Sequence, residues 1–280
     1  MVRGALTTTL AEAARGGAGL LLLSDYDGTL TPIVRRPEAA SLDEATRGVL
    51  AALARAPRVA VGVISGRALE DLRGRVRVPG VVYAGAHGLE VEGAGLAFRH
   101  PEATRLAPGL AALAEALASR LPSLPGVRVE PKGLTVALHY REARAGVAPT
   151  VRRIARAAVE ASGLPVELLP GKRVLELRPA VGWTKGDCAL WLRDALAPRV
   201  VGRWVTTLYV GDDTTDEQVF TALKGQGLTV RVGGGRTAAD FRVKDVRAVR
   251  RLLARLLAWF GEGATTQANG VTAPVGPRRR

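Results

Sequence analysis

The chain has 280 residues, 47% apolar and 24% charged, enough to bury a sizeable core in one large domain or two modest ones. Its 40 Lys and Arg against 26 Asp and Glu give a net charge of +14, but the arginines are scattered and do not interleave with aromatics, which argues against nucleic acid. One cysteine, Cys188, excludes an intrachain disulfide, and no apolar run reaches a secretory h-region or the ~20 residues of a membrane span, so a cytoplasmic protein with no membrane partner is expected, as a monomer.

In chain order, residues 1–17 predict a helical lead-in, and the leucines at 20–23 predict a buried central strand stopped by Asp25. Residues 41–56 predict a helix, with Ser41 as N-cap and an apolar stripe at Val49, Leu50 and Leu53. Strands follow at 59–64 and 81–84, so strand and helix alternate as in a doubly wound α/β parallel sheet.

The middle of the chain changes pattern. A helix at 106–121 precedes strands at 127–131 and 134–140; a second helix at 147–162 precedes strands at 166–169 and 173–178. This repeated αββ unit predicts a small domain with an antiparallel sheet. The first pattern then resumes with helix 185–196, strand 207–210, helix 216–223, strand 228–232 and helix 246–260. The expected organisation is a core over 1–103 and 180–261, an inserted α+β cap over 104–179, and a disordered Gly-, Pro- and Arg-rich tail over 262–280.

Four strand or helix edges carry polar residues that no core would favour, where ligands bind in open parallel sheets. The first is Asp25-Tyr26-Asp27-Gly28-Thr29-Leu30, whose alternate carboxylates point into one site as a candidate nucleophile and a proton carrier. A calcium loop is excluded, because Gly28 directly follows Asp27 and position 34 is Val. The second is Ser65-Gly66-Arg67, readable as a helix N-cap or as a phosphate cradle. The third is Lys185, a cation at a helix N-terminus, which calls for a nearby anion. The fourth is Gly211-Asp212-Asp213-Thr214-Thr215-Asp216, an acidic cluster that calls for cations, although Asp213 or Thr214 also suits a helix cap.

Taken together and in this order, these segments resemble the four signature motifs of the haloacid dehalogenase superfamily over roughly residues 20–100 and 180–260. The resemblance implies that Asp25 is the phosphate-accepting nucleophile and Asp27 the general acid, then base. It implies that Ser65 and Lys185 hold the phosphoryl group, and that Mg²⁺ is bound by Asp25, the carbonyl of Asp27 and Asp212, supported by Asp213 or Asp216. The insertion point matches the larger cap of that superfamily.

In the insert, Arg128, Glu130 and Lys132 share one strand face, as do Glu176 and Arg178, while Leu175 and Leu177 face the other way. Such a charged face is either solvated or binds a ligand. Glu130-Pro131-Lys132-Gly133 with Val136-Ala137-Leu138-His139-Tyr140-Arg141, Gly171-Lys172 with Glu176-x-Arg178-Pro179, and Gly85-Ala86-His87-Gly88-Leu89-Glu90 resemble stretches of trehalose-6-phosphate phosphatases. That resemblance implies a sugar-phosphate substrate, trehalose 6-phosphate, whose distal glucose meets Glu130, Lys132 and Glu176, with Lys172, Arg67 and His87 as further contacts. His87 also reads as a turn-stabilising residue, His139 as structural and His100 as a loop residue. The rivals are sucrose phosphate or mannosylphosphoglycerate as substrate, a phosphomutase, and a non-catalytic basic protein that binds nucleic acid.

Overall fold

The computed structural model describes residues 2–34, 36–121 and 124–261; the tail expected to be disordered at 262–280 lies outside the described residues. The chain opens with helix α1 (Val2–Arg15) and strand β1 (Gly19–Ser24). All of β1 is buried, because alternate leucines serve opposite faces of the sheet. Leu20 and Leu22 pack into one apolar cluster, and Leu21 and Leu23 into another.

Helix α2 (Glu44–Arg55), strand β2 (Val59–Ile64), helix α3 (Leu69–Val76) and strand β3 (Val82–Gly85) continue the winding. Ser41 does not cap α2. The N-cap is Asp43, whose carboxylate accepts from the backbone N–H and the hydroxyl of Thr46, and Ser41 lies before the helix start. Next comes an antiparallel hairpin that the alternation did not foretell, β4 (Glu90–Gly93) and β5 (Leu96–Arg99), which extends the sheet edge.

The inserted unit contains α4 (Pro101–Arg120), β6 (Arg128–Pro131), β7 (Val136–His139), α5 (Ala148–Ser162), β8 (Val166–Gly171) and β9 (Val174–Pro179). Helix α4 starts five residues before the expected 106, because Pro101 takes the first turn and the His100 ring accepts from the N–H of Ala103; His100 is a helix cap rather than a plain loop residue. The four strands form an antiparallel sheet in the order β6-β7-β9-β8. Leu110, Leu113 and Leu117 of α4, with Val151 and Ala155 of α5, cover Val136, Leu138, Leu175 and Leu177 on one face of it. The other face is turned to the core.

The chain then returns through α6 (Lys185–Leu196), β10 (Val205–Gly211), α7 (Asp216–Ala222), β11 (Leu228–Val232), β12 (Phe241–Val243) and α8 (Val246–Phe260). The main sheet has the order β12-β11-β10-β1-β2-β3-β4-β5, parallel up to β3. Helices α1, α2 and α8 cover one face, and α6 and α7 the other. Cys188 on α6 is fully buried and its thiol is pushed up to about 12 by burial, so it packs as a small apolar residue. Among the described residues, no helix is long and apolar enough to cross a membrane.

Candidate active site

The carboxyl ends of β1, β2 and β10 meet the polar face of the four-stranded sheet across one cavity. Every site residue anticipated from the sequence lines that cavity, except Asp216, which lies beneath it and is wholly buried. Lys185 explains its place at the start of α6. Its ammonium donates to Asp25 Oδ1 at 2.7 Å and to Asp216 Oδ1 at 2.6 Å, so carboxylates offset the unfavourable helix dipole. The helix start is held by Thr184 and Asp187, which form a reciprocal capping box.

Asp216 has four donors. Lys185 and the Tyr209 hydroxyl reach Oδ1, and the backbone N–H groups of Asp212 and Asp213 reach Oδ2 at 2.7 and 2.8 Å. Asp216 therefore shapes the acidic loop from below. Neither Asp213 nor Thr214 caps α7; Thr215 holds the cap position without a side-chain bond, because Asp216 already ties the loop. A side chain at Gly211 would come 2.3 Å from Asp216 Cγ, which explains that glycine.

Carboxylate oxygens of Asp25, Asp212 and Asp216 lie within 4.8 Å of one another, all in buried residues. Burial raises Asp25 well above the usual carboxylate range; Lys185 works against the shift, and Asp216 and Asp212 add to it. Asp212 is likewise raised by burial, although Lys172 donates to its Oδ2 at 2.6 Å. Lys185 stays charged, since Asp216 and Asp25 outweigh the desolvation that would lower it. These hard oxygen donors with unbalanced negative charge suit a small divalent cation. The loop also leaves room at Gly28, with φ +82°, where a Cβ would lie 2.1 Å from Asp212 Oδ2.

Asp27 is clamped by Arg67, whose Nε and Nη2 donate to its two oxygens at 2.6 and 2.8 Å while Nη1 donates to Asp71. Arg67, expected as a substrate contact, lines the cavity, and its guanidinium meets two carboxylates there. Ser65 caps no helix, since α3 begins at Leu69, and its buried side chain lines the cavity.

From the inserted sheet, Glu176 reaches the core. Its Oε2 lies 2.6 Å from His87 Nε2, and its Oε1 accepts from Thr135 and, at 3.3 Å, from Lys132. Lys132 also donates to the carbonyl of Gly66 at 3.1 Å. Burial alone would raise Glu176, but Lys132 and His87 hold it far below the usual carboxylate range. His87 sits at φ +58° between two other residues of positive φ, Ala86 and Gly88, so this turn is over-determined by its surroundings. His87 thus has a partner across the cavity as well as a turn role. Arg178, by contrast, is buried against Glu167 on β8.

Two further residues line the cavity. His139, read as structural, bonds Glu130 Oε2 at 2.5 Å and faces the cavity. Strand alternation was the available signal, since Val136 and Leu138 take the apolar face and leave Ala137 and His139 on the other. Arg141 donates to the carbonyls of Val34 and Lys172 at 2.6 and 2.7 Å, a contact between distant segments that no spacing announces.

A doubly wound sheet with acidic loops at its strand ends, roofed by an inserted α+β sheet, defines the capped haloacid dehalogenase fold. The trehalose-phosphatase family matches residues 23–246, and the chain belongs to that family. It is 38% identical over 239 residues to a trehalose-phosphate phosphatase of Mycobacterium marinum, and 40% identical over 239 residues to a Mycobacterium tuberculosis protein described as an uncharacterized glycosyl hydrolase. Each match covers 83% of this chain, and the chain spans 60% of the first relative and 18% of the second. A solved trehalose-6-phosphate phosphatase related protein is 28% identical with a TM-score of 0.73, covering 85% of this chain and 98% of its own.

Proposed function

We propose that this chain hydrolyses trehalose 6-phosphate to trehalose and phosphate through a phosphoryl group carried on Asp25. The observation that carries the reading is the single cavity in which Asp25, Ser65, Lys185 and Asp212 of the core face Glu130, Lys132 and Glu176 of the insert.

Asp25, the carbonyl of Asp27 and Asp212 would hold Mg²⁺, with Asp213 beside them and Asp216 bracing the loop. The ion supplies charge that offsets repulsion between a carboxylate and a phosphate dianion. In the first step an Asp25 oxygen attacks phosphorus, the bond from phosphorus to the sugar oxygen breaks, and Asp27 gives that oxygen a proton. In the second step Asp27 takes a proton from water as the water oxygen attacks phosphorus, which frees phosphate and restores Asp25. Lys185 and Ser65 hold the equatorial oxygens, where negative charge gathers. Arg67 holds both Asp27 oxygens, so the proton-transfer steps require it to release one of them. The insert, residues 104–179, acts as the cap that selects the leaving sugar, with Glu130, Lys132 and Glu176 meeting the distal glucose and Lys172 and His87 flanking it.

Acid quenching of a single turnover tests this reading. Labelled phosphate should be trapped on Asp25, and excess EDTA should abolish turnover until Mg²⁺ is restored. Turnover without a trapped phosphoryl group, or full activity in EDTA, would contradict it.

A further inference from the structure

His139 ends β7 on the cavity side of the inserted sheet, opposite Arg128 on one side and Val174 on the other. Its neighbour two residues back, Ala137, is paired with both Glu130 and Glu176, so the two carboxylates flank a small side chain in one row. Glu176 is fixed by three donors, His87, Lys132 and Thr135. Glu130 has His139 as its one hydrogen-bond partner among the described residues, and its side chain lines the cavity and is 36% exposed. A glutamate has three rotatable bonds, so a single donor decides where the free oxygen points.

We infer that His139 is a positioning residue for substrate choice: its Nε2–H binds one oxygen of Glu130 and aims the other at a hydroxyl of the distal sugar. The inference rests on the proposed sugar-phosphate reading. Three observations support it. The His139 side chain is only 15% exposed, so the ring is held by packing before any ligand arrives. The bond at 2.5 Å is short and charge-assisted. That hydrogen bond is also the leading reason the Glu130 carboxyl lies below its usual range, followed by opposing burial and by Lys132. Without His139 the carboxylate would lose its one hydrogen-bond donor among the described residues, and with it its direction, so the sugar would have to order it on binding.

The test uses His139→Leu and His139→Gln, the second because its amide N–H replaces the Nε2 donor. Specificity constants are measured for trehalose 6-phosphate and for a small aryl phosphate, after equal thermal stability of each variant is checked. In His139→Leu the ratio of the two constants should fall about 10- to 100-fold, mostly through KM for the sugar substrate. His139→Gln should recover most of that ratio. In a Glu130→Ala background, His139→Leu should cause little further fall, because the residue acts through Glu130. An unchanged ratio in His139→Leu, equal damage from Leu and Gln, or full additivity with Glu130→Ala would each overturn the inference. Wild-type protein that fails to hydrolyse trehalose 6-phosphate would instead overturn the proposed function, so the two failures are distinguishable.

Discussion

Lys185 shows how much of this site is decided by single charges. It is 1% exposed, begins a helix, and sits between Asp25 and Asp216, so three buried charges neutralise one another only in part. Removing one member leaves the others uncompensated, which costs about 3–5 kcal/mol where burial is complete. Asp25→Asn keeps the shape yet removes the attacking oxygen's charge, and turnover should fall by several orders of magnitude in a steady-state phosphate assay. Asp27→Asn should lower turnover by roughly 10²–10⁴-fold through lost proton transfer. Gly28→Ala is the sharpest steric test. Its Cβ would collide with Asp212 Oδ2, and φ at this position is +82°, so the loop must move. The Mg²⁺ concentration giving half-maximal activity should rise at least about tenfold, an effect worth ~1.4 kcal/mol at the ion. An unaltered Mg²⁺ titration would remove Asp212 from the ion-holding set.

At the scale of elements, strands β7 and β9 form the middle of the inserted sheet, and their register explains which residues face the cavity. Val136, Leu138, Leu175 and Leu177 bury the helix-facing side, which commits Ala137, His139 and Glu176 to the cavity. Glu176 then joins the insert to the core through His87, and its low folded-state value has a direct consequence for stability. A carboxyl lowered on folding stabilises above the unfolded value, about 4.3, and that stability is lost as pH falls through the folded value. Wild-type protein should therefore exceed Glu176→Gln in thermal stability fully at pH 6–7. The gap should narrow below about pH 4. A gap independent of pH would show that the Glu176 charge does not stabilise the fold.

The alternation of strand and helix, the inserted αββαββ order and the four polar edges were legible because periodicity and local cost are written in sequence. The β4–β5 hairpin and the three-residue β12 were not, since short, half-exposed strands carry little pattern. The His87–Glu176 bridge joins residues 89 apart, and no spacing rule links them. His139 was readable in principle from the same alternation that placed Leu138, but a histidine beside apolar residues looks structural until its partner is seen.

On the scale of the molecule, the core and the insert meet through polar contacts and through a small apolar cluster, in which Ala86 and Leu89 of the core pack near Leu134 and Ala107 of the insert. Lys172 reaches Asp212, Arg141 the carbonyl of Val34, Arg36 the carboxylate of Glu142, and Arg128 that of Glu38. The last two pairs are more than half exposed and contribute little each. The juxtaposition of core and insert should therefore depend on the buried bridge at Glu176 and on that apolar cluster. A salt series should leave the aryl phosphate reaction nearly level while weakening trehalose 6-phosphate turnover only modestly, because buried pairs are poorly screened.

The most direct measurement is a comparison of specificity constants for trehalose 6-phosphate, sucrose 6-phosphate, mannosyl-3-phosphoglycerate and a small aryl phosphate, in the same Mg²⁺ buffer. The proposed contacts of Glu130, Lys132 and Glu176 with the distal sugar, two or more of them charge-assisted bonds, predict a preference for trehalose 6-phosphate of at least about 10²-fold over each of the others. A constant for any of the others equal to or above that for trehalose 6-phosphate would contradict the account.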